Sequence, residues 1–242
     1  MKKLILLAVM TALVACGAQA QKKNTSRNSA KAPSVSVSQD GSAPSGFVDL
    51  GNAKTIQLPQ PEQGLDMPAI ELFKLRCTTR EMGPEELPLE LVSSVLWAAY
   101  GFNRPDEGKR TAPSAINVQE FDIYLFNQDG VYLYDAAKNA LIPCLLGDHR
   151  AEISQQKHFA IAPISIVMVA NYGRMTKFKS TEDRDFYAAC DAGYISQNIY
   201  LACASAHLAT VACGGIDREA IHKLLGITNG RALLAHPVSF KH

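Results

Sequence analysis

An excess of charge of either sign is missing from this 242-residue sequence: 24 lysines and arginines stand against 23 aspartates and glutamates, a formal net charge of +1. That balance excludes a nucleic-acid groove or a membrane surface built on excess positive charge. Closely spaced cysteines are also absent. Besides Cys16 there are Cys77, Cys144, Cys190, Cys203 and Cys213, an odd number with no C-x-x-C pair, so neither a zinc site nor a thioredoxin-like centre is supported. Cys190 and Cys203 fall in one expected helix, where thirteen steps separate them by roughly 20 Å along the axis, beyond disulfide reach. Cys144 could enter a disulfide in an oxidising compartment, but no specific partner stands out. G-x-S-x-G and H-E-x-x-H are missing, which removes the common serine and zinc hydrolase arrangements. His149, His158, His207 and His222 have no spacing that marks a catalytic acid, and ordinary surface or core roles are expected. The apolar run from Ile199 to Cys213 is short and broken by Ser205, His207 and Thr210, so it does not read as a membrane span.

What is present begins with an export pattern over residues 1–20. Lys2 and Lys3 precede an apolar core from Leu4 to Val14 and a small-residue region, too short for a stable span. Leu13-Val14-Ala15-Cys16 resembles a lipobox, with Cys16 as the lipidated mature N-terminus and a membrane tether. Ala18-Gln19-Ala20 offers an ordinary A-x-A cleavage site instead. Residues 21–51 are rich in Ser, Ala, Asn, Lys and Gly and cannot bury enough surface to offset ordering entropy, so a flexible tether is expected. Residues 52–242 are long enough for one domain with a substantial core, and 47% hydrophobic with 19% charged residues overall is ordinary for a globular chain.

Within that domain, Asp66 to Leu75 reads as an amphipathic helix with Asp66 as N-cap and Pro68 in its first turn. If the helix continues through Arg76-Cys77-Thr78-Thr79-Arg80, the two arginines share a face. With the Thr78 hydroxyl they then form a candidate phosphate site. Leu89, Val92, Val95, Leu96 and Ala99 recur at helical spacing up to a stop at Gly101. Phe121 to Phe126 and Val131 to Asp135 read as a hairpin, with Gly130 available for positive φ. Asp148 to His158 looks helical. Ile164 to Ala170 is an interior strand by its unbroken apolar, β-branched character. Asp183 to about His207 is the longest helix, apolar on more than one face. A strand from Leu208 to Cys213, a helix from Arg218 to Leu225 capped by Asp217, and a strand from Ala232 to Phe240 complete an α+β order with a mixed central sheet.

Arg110 to Phe121 is the most informative stretch. Pro113 fixes φ and biases Ala112 towards extended backbone, and Ser114 can cap a short turn. Hydroxyl, amide and backbone N–H groups of Ser114, Asn117 and Gln119 are thereby gathered beside an apolar strand. That suits a planar heterocycle, although such residues also build ordinary capped connections.

Four segments then carry a resemblance. Arg76 to Arg80 is similar to an Arg-x-Ser-x-Arg phosphate motif. Leu96 to Arg104 with Arg110 to Ala115, and the Pro113-Ser114-x-x-Asn117-x-Gln119 loop, are similar to flavin-approaching segments. Asp191 to Asn198 followed by Gly214-Gly215-Ile216-Asp217 is similar to a dimer helix and a flavin-facing glycine turn. In this order over about 170 residues, the chain resembles nitroreductase-like flavoproteins, particularly the SagB-type and thiazole-oxidase-like branch.

The resemblance implies a mainly antiparallel sheet flanked by helices, an intertwined homodimer, and FMN bound noncovalently at its interface. It implies that Arg76, Cys77, Thr78 and Arg80 hold the phosphate and ribityl chain, with Lys241 as the nearby basic residue. Pro113, Ser114, Asn117 and Gln119 would meet the ring or ribityl oxygens. Gly214 and Gly215 would offer backbone N–H groups near the reactive edge, glycine permitting close approach. Cys77 and Thr78 depart from the usual basic residue and Ser. Pro237-Val238-Ser239-Phe240 stands where relatives have Pro-Val-Gly-Tyr, so a close glycine contact is expected to be lost.

The expected activity is two-electron reduction of nitroaromatic or quinone-type acceptors, or a related dehydrogenation. Many relatives use NAD(P)H, but export would separate this chain from the cytosolic pool, leaving the donor unnamed. The alternative expectation is a flavin-binding or interaction module with little turnover.

Overall fold

The computed structural model describes residues 53–61 and 65–241. The expected export signal, Cys16 and the 21–51 tether lie outside the described residues. In chain order the elements are β1 (Ile56–Gln57), α1 (Ala69–Leu75), α2 (Leu89–Tyr100), β2 (Phe102–Arg104), β3 (Lys109–Arg110), β4 (Phe121–Phe126), β5 (Gly130–Asp135), β6 (Ala140–Leu146), α3 (Lys157–Ile161), β7 (Ile164–Asn171), α4 (Thr181–Ser205), β8 (Leu208–Thr210), α5 (Arg218–Leu225) and β9 (Gly230–Phe240). Seven strands form one sheet in the order β1-β6-β5-β4-β7-β9-β8, and β2 and β3 form a separate ribbon. The pairings are antiparallel throughout the described sheet, so the expected mixed, mainly antiparallel sheet is antiparallel in every described pair.

The unbroken apolar run of β7 has a direct physical cause. Successive side chains of a strand point to opposite faces. Ile164, Ile166, Met168 and Ala170 join the core shared with α2 and α4. Val167 and Val169 join a second core with Phe159 of α3 and Ile221 of α5. A strand covered by helices on both faces has no polar side to show. On α4, the Ser180 hydroxyl caps the first turn by accepting the Asp183 N–H at 3.0 Å. Ala188, Ala192, Ile195, Ile199, Ala202 and Cys203 then make the buried stripe, while Phe186 and Tyr194 stay exposed. α1 has no buried residue at all.

Several local expectations are corrected. α1 begins after Pro68, not at Asp66, and its N-cap makes no side-chain bond. It ends at Leu75: Arg76 is already extended at ψ 117°, and the Thr79 N–H donates to the Thr210 carbonyl at 2.9 Å. Arg76 and Arg80 therefore do not share a helix face; two β-branched threonines and a bond to β8 favour extended chain over another turn. The expected helix from Asp148 to His158 is a single 3-10 turn, Arg150–Glu152, followed by α3. Asp148 Oδ1 accepts the Arg150 N–H at 3.1 Å and its Nε at 2.8 Å, a local closure that competes with a continuous helix.

β6 went unread because Pro143 sits inside it. It is accommodated opposite Tyr132, where the β5–β6 register shifts. The strand expected from Leu208 to Cys213 contracts to β8 plus an isolated bridge between Cys213 and Ala235.

Gly130 does not adopt positive φ. Its glycine is required because a Cβ there would lie 2.3 Å from the Leu145 carbonyl oxygen, and backbone cannot swing aside. Gly130→Ala is accordingly expected to destabilise the domain by about 1–3 kcal/mol, the range for overpacking. Urea unfolding with an unchanged midpoint would contradict that account of the hairpin.

Candidate functional site

The phosphate segment is built on the end of α1 and the edge of the sheet. The Thr78 hydroxyl lies 2.9 Å from the Tyr200 hydroxyl. The Arg76 guanidinium sits over the Tyr200 ring, 5.2 Å from its centroid. The same Tyr200 hydroxyl accepts the Ala212 N–H at 2.8 Å, so one side chain on α4 ties residues 76–78 to the approach of the glycine turn. Behind it the Tyr200 ring meets His236 edge-on at 5.2 Å. His236 is wholly buried between the Ser196 hydroxyl at 2.8 Å and the Thr210 hydroxyl at 3.0 Å. Burial pushes its pKa down to about 3, so it is a neutral spacer with one donor and one acceptor nitrogen. Cys77, Tyr200, His207 and Lys241 border one small cavity of about 30 Å³, which brings Lys241 to the phosphate segment.

The glycine turn is fixed from three sides. Cys213 exchanges both backbone bonds with Ala235, at 2.8 and 3.0 Å. The Gly215 carbonyl accepts from the Ser154 hydroxyl at 2.8 Å and the Gln156 amide at 3.3 Å. The Gly214 carbonyl accepts from Arg218 at 3.0 Å, and Asp217 caps α5 through the Ala220 N–H at 2.9 Å. Beneath the turn, Cys213 Sγ lies 3.5 Å from His158 Nε2. Burial raises the thiol's pKa and lowers that of the imidazole, and the neighbouring Arg80 charge lowers both.

The third segment, Arg110 to Gln119, is an internally braced loop. Arg110 is held between the Tyr100 and Phe102 rings, 4.2 Å from each centroid. It donates to Gln119 Oε1 at 2.8 Å and to the Tyr100 carbonyl at 2.7 Å. Gln119 in turn donates to the Gly108 carbonyl at 2.7 Å and to Asn117 Oδ1 at 3.3 Å. Its side chain is thus committed to bracing the loop. Ser114 does not cap the following 3-10 turn in the usual way; its oxygen accepts the Gln119 N–H at 3.0 Å. Ile116, Asn117 and Gln119 have φ of 46°, 59° and 50°, a dense run of left-handed, non-glycine backbone. Asn117 and Ile116 are exposed on this loop, Ile116 at 60%.

These residues form two groups, not one. The phosphate segment, Lys241 and the glycine turn share Tyr200 and the β8–β9 edge. The loop lies elsewhere: Phe121 pairs with Ala170 and Ala170 with Arg231, whereas Thr210 pairs with Val238. Seven residues of β9 separate those levels, roughly 23 Å at strand rise. Pro113, Ser114 and Asn117 are therefore not gathered with Arg76, Thr78 and Arg80 inside one chain.

The first group fits a flavin phosphate and ring edge. Arg76 and Arg80 make no ion pair among the described residues. Gly214 and Gly215 are exposed, neither has positive φ, and added Cβ atoms would meet nothing closer than 3.4 Å. Neither φ nor internal packing demands glycine there, and the turn is open to a close approach from outside. Ser239, where glycine was expected, is fully buried and hydrogen-bonded to the Phe240 carbonyl at 2.8 Å and the Gly83 N–H at 3.3 Å. Tyr200, Ser154, Gln156 and His236 had no motif to mark them, and only their contacts reveal them.

An antiparallel sheet covered by helices, with this glycine turn before α5, is the nitroreductase-like α+β fold, and the class it defines is an oxidoreductase. The chain belongs to the nitroreductase family, whose profile matches residues 74–239. It is similar to a Methanocaldococcus jannaschii protein assigned as a nitroreductase, 32% identical over 203 residues that cover 79% of this chain and 99% of the relative. A crystal structure from Ralstonia eutropha JMP134, also assigned as a nitroreductase, superposes with a TM-score of 0.73 at 33% identity, covering 78% of this chain and 90% of the other. A chain of the E. coli microcin synthetase complex shares the fold at 15% identity, with a TM-score of 0.56 and coverage of 68% and 67%.

The joint made by Tyr200 is directly testable. Tyr200→Phe keeps the ring on His236 but strands the Ala212 N–H, and should cost about 1–2 kcal/mol. Faster amide exchange at Ala212 with a lowered urea midpoint is expected; wild-type values for both would contradict the joint.

Proposed function

We propose that the chain is an FMN-dependent oxidoreductase working as a homodimer, in which the Arg110–Gln119 loop of one copy completes the site begun by Arg76–Arg80 and Gly214–Gly215 of the other. The observation that carries this reading is the separation of the two groups within one chain, each internally well supported and each open outward. Exposed apolar side chains point to the same arrangement. Ile70 and Phe73 of α1 are 62% and 65% exposed, and Phe186 of α4 is 62% exposed, large apolar side chains that a second copy could cover.

In this site Arg76, Arg80 and Lys241 neutralise the phosphate, and Thr78 adds a hydroxyl held by Tyr200. Gly214 and Gly215 offer backbone N–H groups where negative charge develops on reduction. Ser114 and Asn117 supply hydroxyl and amide contacts from the second copy. When bound, FMN supplies the two-electron transfer, and the chain supplies orientation and electrostatics. Small-molecule acceptors of the nitroaromatic or quinone type suit an open site without a dedicated catalytic acid. The Arg110 to Ala115 stretch favours placement near the SagB-type and thiazole-oxidase-like branch, where a related dehydrogenation is the corresponding activity. Residues 1–20 favour export, with Cys16 as a lipid tether, and hence a donor other than cytosolic NAD(P)H.

The purified protein is expected to be yellow, to bleach with dithionite and to reoxidise with a quinone or nitroaromatic. Arg76→Ala should weaken FMN about 10- to 100-fold, as loss of a charged hydrogen bond implies, and Asn117→Ala should weaken it less. A colourless protein that binds no added FMN overturns the proposal. Phe73→Asp tests the assembly: monomers by light scattering together with lost flavin are expected, and a monomer that retains flavin affinity would contradict a shared site.

A further inference from the structure

Glu120 is the most anomalous side chain in the described structure. It is completely buried, and apart from the neighbouring Asp191 carboxyl neither of its oxygens has a hydrogen-bond partner. Such a group does not persist as a bare anion; it takes up a proton or finds a counter-charge. The groups around it come from three elements. Asp191 of α4 is 3% exposed and close enough to act on Glu120 directly. Arg174, just after β7, is engaged by Asp122 and by the Gln119 and Phe121 carbonyls at 3.3 and 3.2 Å. Tyr100 of α2 gives its hydroxyl to the Phe121 N–H as acceptor at 3.4 Å and lies under Arg110. Two carboxyls thus share a buried space, and the Arg174 guanidinium beside them is already engaged by a third, Asp122.

Asp191 has a second attachment. Its Oδ2 accepts the Ala115 N–H at 2.7 Å, at the entrance to the loop whose Ile116, Asn117 and Gln119 are left-handed. Backbone of that kind persists only when its surroundings hold it. The Ala115 bond ties this loop to α4, and Glu120 lies at the loop's other end, where its carbonyl accepts the Asn171 N–H at 2.9 Å.

We propose that Glu120 and Asp191 hold one proton between them, carried on Glu120, and that they are positioning residues. The neutral Glu120 lets an ionised Asp191 stay buried and anchor Ala115, and so sets the Ser114–Gln119 loop. This pairing belongs to the ligand-free chain and stands whether or not the loop meets FMN.

Burial, reinforced by the Asp191 charge, raises the Glu120 pKa to about 8, and burial also raises that of Asp191. The sign of the linkage follows. Glu120 binds its proton more tightly folded than unfolded, so its contribution is full below the ordinary glutamate pKa of about 4.3 and is lost as pH rises through about 8. Ionisation then places a second anion against Asp191 and weakens the hold on Ala115.

The test uses the ligand-free protein labelled with ¹⁵N-alanine, titrated from about pH 6 to about pH 9. In wild type the Ala115 amide resonance should shift with a midpoint near 8, and its protection from exchange should fall over the same range. Glu120→Gln, neutral at every pH, should hold the low-pH position without inflection. Asp191→Asn should move the Ala115 resonance at all pH values and lower its protection. A wild-type resonance that does not titrate, or a Glu120→Gln variant with the wild-type inflection, overturns the proposal. Should a variant not fold, the Glu120 carboxyl carbon in wild type decides alone. Titration near 8 supports the shared proton; titration near the ordinary glutamate value of about 4.3 overturns it.

Discussion

One helix, α4, holds both halves of the candidate site at two fixed stations, and the rest of the structure is arranged around that constraint. Asp191 anchors the Ala115 loop, and nine residues later Tyr200 anchors Thr78, Arg76 and Ala212. Helical rise sets those stations about 14 Å apart along the axis, and the helix is pinned to the sheet by Ala188, Ala192, Ile195 and Ile199. Because the helix is rigid, neither half moves towards the other. Under the proposed assembly, a pocket that takes in both halves would be completed between copies, not by folding one chain more tightly.

The supports behind each half are of different kinds. Behind Tyr200 the polar groups are neutral and satisfied: His236 sits between two hydroxyls, with its proton fixed by burial. Such a network can be buried without a counter-ion. Behind the loop the groups are charged and crowded: Arg110 between two rings, Arg174 on Asp122, and Glu120 beside Asp191. One half therefore rests on a neutral buried network and the other on crowded charged groups. The loop also bears the exposed Ile116 and Asn117, the side chains that would reach into a second copy.

Long elements with clear periodicity were legible in the sequence. α2 ends at Tyr100 before Gly101, β7 is interior, and α5 is capped by Asp217, all as pattern and capping rules imply. What escaped was decided by distant partners. Arg76 to Arg80 left its helix for a bond to Thr210, β6 carried a proline tolerated only at a register shift, and Gly130 was needed for a carbonyl on another strand. The family was legible in four stretches, which all lie within the matched region. Their separation was not, because distance across a sheet depends on register. Glu120 carries no signal in the sequence; only its burial beside Asp191 distinguishes it.

The central claim is that each flavin site takes its phosphate group from one copy and its loop from the other. Mixed dimers of an Arg76→Ala chain and an Asn117→Ala chain test this most directly. If the site is shared, one site of each mixed dimer carries both lesions and the other carries none. FMN titration should then recover one site of wild-type affinity per mixed dimer, where both parent homodimers have none. If each chain holds a whole site, every site in the mixed dimer carries one lesion, and the absence of any wild-type site would contradict the account.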